Sequence, residues 1–101
     1  MFGLFKKNKN IHQDLEKVEN EFREIDVHEL MHIMMKISKV EHIDLSELKK
    51  HTFILLVLTL NKMGYKINEN DLNIEKNRDF TIAIDDCAWR IRDNIIDRLT
   101  W

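Results

Sequence analysis

The sequence predicts an all-α domain, a compact four-helix bundle around a central, apolar third helix. Three observations carry this. The 101 residues contain no Pro and only two Gly, and long helices have little room for either. Apolar residues recur at alternating steps of three and four, the spacing of one helix face. The segment Ile25-Asp26-Val27-His28-Glu29-Leu30 nearly recurs as Ile43-Asp44-Leu45-Ser46-Glu47-Leu48, and both copies have the form of a helix start. In each, the Asp accepts from orphan N–H groups while the Glu three residues on reaches back. The Ile before the Asp packs on the Leu as a hydrophobic staple.

Residues 1–9, MFGLFKKNK, form an N-terminal arm, and 10–101 a single helical domain. The arm combines Phe2, Leu4 and Phe5 with three lysines, but one apolar turn is a weak membrane anchor. It is expected to dock on the domain or on a partner.

Helix one is expected from about Ile11 to Glu24. Ile11, Leu15, Val18, Phe22 and Ile25 make its stripe, and Asn10 is a fitting cap. Helix two should start at Val27 behind Asp26 and reach about Lys39. Leu30, Met31, Met34 and Ile37 make its stripe, with Ile33 and Met35 beside it. The methionines read as core filler. Helix three should start behind Asp44 and end near Met63, with Gly64 as a left-handed stop. Its middle, Phe53 to Leu58, is apolar all round, which suits a helix at the centre of the domain or half of a dimer interface. Asp26→Ala and Asp44→Ala are each expected to cost about 0.5–2 kcal/mol.

Tyr65 to Arg78 is polar and Asn-rich, and reads as a loop with room for one helical turn after Asp71. A last helix is expected from about Asp79 to Leu99 on Phe80, Ile84, Cys87 or Ala88, Ile91, Ile95 and Leu99. The alternative is an α+β fold with a small hairpin formed by residues 65–67 and 80–84, because Phe-Thr-Ile-Ala-Ile also alternates like a strand.

Composition narrows the function classes. The apolar share of 44% and charged share of 34% suit a soluble globular domain. The single Cys87 excludes an internal disulfide and fits a reducing, cytoplasmic setting. No apolar run approaches the roughly 20 residues that span a bilayer. Residues 11–30 hold seven acids against Lys17 and Arg23. That excess argues against direct nucleic-acid binding, which needs a basic surface. It favours a basic protein partner, met by Asp14, Glu16, Glu19, Glu21 and Glu24 on helix one. Trp89 and Arg92, beside Arg90, Asp93 and Trp101, belong to the residue types common in interface hot spots and join the candidate partner surface.

One motif points elsewhere. His28-Glu29-Leu30-Met31-His32 fits HExxH and resembles the zincin metalloprotease motif over five residues. The resemblance implies zinc on His28 and His32, four apart on one helix face, with Glu29 as general base. A third ligand is also needed. The metzincin extension requires Gly at 35 and His at 38, where this chain has Met35 and Ser38. Glu47, the nearest downstream candidate, already serves its own capping box. The capping box also explains Glu29 without metal, so no cofactor and no catalysis are expected. There is no Gly-rich phosphate loop. Asp85 and Asp86 point about 100° apart on a helix, a poor two-carboxylate site. Ser38 and Ser46 lack a nucleophile's context.

By this reasoning the chain is a small, non-enzymatic cytoplasmic protein-binding module. An inhibitor or immunity-type protein that neutralises a basic partner fits best. The alternatives are a structural homodimer or assembly subunit, and an HExxH zinc hydrolase.

Overall fold

The computed structural model describes residues 10–67 and 78–100, without the side chains of 78 and 79. Four α-helices and a short 3-10 turn account for most of them, and no strand occurs among the described residues. The helices are α1 (Ile11–Glu24), α2 (Val27–Ser38), α3 (Leu48–Lys62) and α4 (Arg78–Leu99), with the 3-10 turn at Leu45–Glu47. The expected all-α bundle is the observed fold. Residues 80–84 lie within α4, so the hairpin does not form. The arm at 1–9, the helical turn proposed after Asp71 and Trp101 lie outside the described residues.

The first two helices start on the cap residues their sequences direct, but only half of the first capping box forms: Glu29 is exposed and makes no bond back to the Asp26 N–H among the described residues. Asn10 accepts from the N–H groups of His12 at 3.0 Å and Gln13 at 3.2 Å. Asp26 accepts from those of His28 and Glu29, each at 3.1 Å. α2 ends on Lys39 in the left-handed region at φ 56°. There the Val40 N–H reaches back to the Met35 carbonyl at 3.0 Å, a Schellman-type closure that more often uses Gly. After α3, Gly64 takes φ 105° and the Tyr65 N–H bonds to the Leu60 carbonyl at 3.1 Å. The Asn61 amide then holds both the N–H and the carbonyl of Ile67 at 2.8 Å, fixing the chain's exit.

The second capping box does not form as expected. Asp44 makes no side-chain cap bond. Its Oδ1 pairs instead with His42 Nε2 at 2.9 Å. Residues 45–47 wind as a 3-10 turn, and α3 proper begins at Leu48. The staple positions nevertheless go inside, since both Ile43 and Leu48 are buried in the core. Burial of that pair sets the helix entry here, with the cap left to the solvent side.

The core gathers Leu15, Val18 and Phe22 of α1, Leu30 and Met34 of α2, Leu55, Leu56 and Leu60 of α3, and Ile84, Cys87, Ala88, Ile91 and Ile95 of α4. Met31 and Met35 pack against its edge. The methionines are core filler, as expected. α3 touches each of the other helices, and so does α4. The centre of the bundle is therefore the α3–α4 pair, with α1 laid mainly on α4 and α2 mainly on α3.

Candidate functional site

The five candidate acids of α1 separate into two groups. Glu16, Glu21 and Glu24 are exposed and line one shallow surface groove with Gln13, Lys17 and Asn20. The other two turn inward, which corrects their placement on a solvated acidic face. Asp14 Oδ2 accepts from the Tyr65 hydroxyl at 2.5 Å. Glu19 is 9% exposed and takes Arg23 Nη2 on one oxygen and Arg90 Nε on the other, both at 3.0 Å.

Physical chemistry explains this division. Positions 15, 18, 19 and 22 share one side of the helix, so an acid at 19 must enter the α1–α4 seam. A buried carboxylate survives only when paired. Arg23 lies one turn on in α1, and Arg90 comes across from α4. Burial alone would raise the Glu19 carboxyl, but the two guanidiniums outweigh it and hold it below the usual carboxylate range. The same seam holds Cys87, with Sγ 3.8 Å from the Leu15 carbonyl and 3.9 Å from Glu19 Oε1. Burial first, then the Glu19 charge, push its thiol up to about 11. Tyr65 is likewise raised, by burial and then by the Asp14 carboxylate that accepts its hydrogen bond.

A second clamp fastens the far end of α1. Arg98 Nη1 donates to the Ile25 carbonyl at 2.6 Å and the Arg23 carbonyl at 3.3 Å, while Nη2 donates to the Phe22 carbonyl at 3.2 Å. These carbonyls close the C-terminus of α1, where a cation is favoured, and the Phe22 carbonyl also accepts from the Ile25 N–H at 3.3 Å. Glu19–Arg90 and Arg98 thus hold α1 at its middle and its end, which sets the exposed acids on a rigid element.

Trp89 and Arg92 meet on the outer side of α4, with Arg92 Cζ 5.5 Å from the Trp89 ring centroid. Lys49 Nζ reaches over from α3, 5.5 Å from the Trp89 ring and 5.2 Å from that of Phe53. Asp85 pairs with this lysine, so the two adjacent aspartates differ in role. Arg92 also donates to Asp93 at 2.8 Å. Trp89 itself remains 46% exposed. These residues form a patch separate from the α1 groove.

His28, Glu29 and His32 are all exposed. Among the described residues, no three His, Cys, Asp or Glu side chains stand together as a metal site. Ser38 is different from the sequence expectation. Its Oγ lies 2.7 Å from His51 Nδ1, a pairing across thirteen residues that no local spacing signals. His51 is 9% exposed and lies within the α2–α3 seam. The pair ties the last residue of α2 to α3.

Compared with protein-family models, with curated proteins and with solved structures, the chain matches none. Among the described residues, no helix is long and apolar enough to cross a membrane.

Proposed function

We propose that this chain is a non-enzymatic protein-binding module of inhibitor or immunity type, and that the exposed acids of α1 take a basic protein partner. The observation that carries this reading is the division of the α1 acids. Glu16, Glu21 and Glu24 project from a helix whose inward acids are spent on fixing it in place. A preordered charged face binds with less loss of side-chain and backbone freedom than a mobile one. Its charge steers association with an oppositely charged surface. The single buried cysteine supports a cytoplasmic setting for this work.

The test is affinity capture of the tagged chain from its native host, read by mass spectrometry. The expected result is a stoichiometric basic protein whose binding weakens with added salt. It should disappear when Glu16, Glu21 and Glu24 are together reversed to Lys. Glu19 is left intact in this variant, because changing it would disturb the fold. Capture that is insensitive to the reversal would sink the proposal.

A further inference from the structure

We propose that the outward side of α3 is a second docking surface, and that it takes an acidic, amphipathic helical segment of a partner protein. Two adjacent rows of residues at i, i+4 spacing cover this side. One is Lys50-Ile54-Leu58-Lys62; the other, Lys49-Phe53-Val57-Asn61, is half-buried, with Phe53 and Val57 also packed against the core and Asn61 engaged with Ile67. Each puts an apolar pair in the middle. Leu58 is 40% exposed, and Ile54 is half-buried without joining the core. Trp89 extends the apolar area past Phe53, with Lys49 lying between the two rings. Ridges of this kind accept the ridges of another helix.

Charge selects the occupant. α3 contains three lysines and no acid. Lys49 and Lys50 sit in its first turn, where the helix dipole disfavours cations. Lys49 has Asp85 to offset this, whereas Lys50 and Lys62 have no ion-pair partner among the described residues. They lie about 18 Å apart along the helix at 1.5 Å per residue. A partner helix with acids near both ends and apolar residues between them satisfies both lysines and covers Ile54 and Leu58.

The same charges disfavour other occupants. A basic protein, which α1 would attract, is repelled here. A second copy crossing antiparallel sets Lys49 and Lys50 against Lys62, and a parallel one sets each lysine near its equivalent. A partner helix can keep its acids at Lys50 and Lys62 and set an apolar residue on Trp89, whereas a uniformly anionic membrane also meets Asp86 and Asp93, both exposed beside Trp89 on α4. The molecule would then be bivalent, with an acidic face for one partner and a basic, apolar face for another.

A library of displayed helical peptides of about 18 residues, long enough to span both lysines, can be selected on the immobilised full chain. The expected outcome is enrichment of peptides with apolar residues at three-and-four spacing between Asp or Glu. Their binding should fall about tenfold or more in Leu58→Asp and in Trp89→Ala. It should also fall in the paired Lys50→Glu, Lys62→Glu variant and persist when Glu16, Glu21 and Glu24 are reversed. Unchanged circular dichroism and melting would show that the variants are folded. Three results would overturn the proposal: no enriched acidic peptide that responds to Leu58→Asp, retention on phosphatidylserine vesicles that does respond to it, or a dimer of the chain alone that Leu58→Asp dissolves. None of these residues lies on α1, so failure here leaves the acidic-face reading standing, and the converse holds as well.

Discussion

Glu19 shows how one carboxylate can belong to the fold while its neighbours face outward. Replacing it with Gln takes the charged partner from Arg90 and Arg23, whose side chains are 53% and 47% exposed, and should cost about 1 kcal/mol in urea unfolding. Glu16→Gln should stay within about 0.5 kcal/mol of the parent. The Glu19 contribution also has a pH signature. Its folded carboxyl is held below the unfolded value, so the stabilisation is complete above the unfolded range near about pH 4.3. It fades as pH falls through the lower, folded value. The gap between parent and Glu19→Gln should therefore narrow on acidification below about pH 4; a constant gap would refute the pairing. Cys87, with its thiol raised to about 11, should react slowly with Ellman's reagent at neutral pH until the chain is unfolded. A count of charges along α1 does not reveal these roles. The signal was present in the period, because position 19 falls between Val18 and Phe22 on the apolar side, but only the arrival of Arg90 from α4 decides it.

At the scale of elements, the two copies of the helix start test what a cap is worth against what burial is worth. Asp26 bonds two N–H groups, and Asp26→Ala should cost about 0.5–2 kcal/mol. Asp44 bonds none of the helix N–H groups, so Asp44→Ala should be near neutral. Equal losses in denaturant unfolding would contradict the observed difference. Lys39, in the left-handed conformation at φ 56°, is a place where Gly fits better. Lys39→Gly should raise stability by up to about 1 kcal/mol, since a left-handed residue with a Cβ costs about 1–2 kcal/mol. A loss would mean that the closure of α2 depends on the lysine side chain. The helices themselves were legible because period and caps are local. Stripes at 11–25 and 80–99 mapped onto buried faces, and Gly64 stopped α3. The similarity of the two hexapeptides misled at Asp44 because a cap pattern states what a backbone can do locally. His42 competes for that carboxylate and Ile43 and Leu48 fix the chain by burial, neither of which a capping pattern encodes.

For the whole molecule, the contact of α1 with α4 closes the bundle around the central α3–α4 pair. Arg98→Ala removes three carbonyl contacts at the end of α1. It should lower the melting midpoint by several degrees, as a loss of about 1–2 kcal/mol does in a domain of this size. Hydrogen exchange should rise first in the last turn of α1; protection lost evenly over the chain would argue against a local clamp. The fold class followed from composition and period, and a central α3 followed from its all-round apolar middle. That α4 shares the centre was not legible, because its stripe looks like that of any surface helix. The candidate partner surface was legible as charge, while its limits came from tertiary pairing of Asp14 with Tyr65 and Glu19 with Arg90.

The laying of α1 on α4 has a consequence for how the protein is made. α1 is synthesised before any of the other three helices, and the helix that holds it is synthesised after them all. Until Arg90 leaves the ribosome, Glu19 has only Arg23, and α1 can lean only on α3 and the Tyr65 hydroxyl. A chain cut short just before Arg98 would keep the Glu19–Arg90 pair but leave the end of α1 unclamped. The final seating of α1 therefore comes late in synthesis.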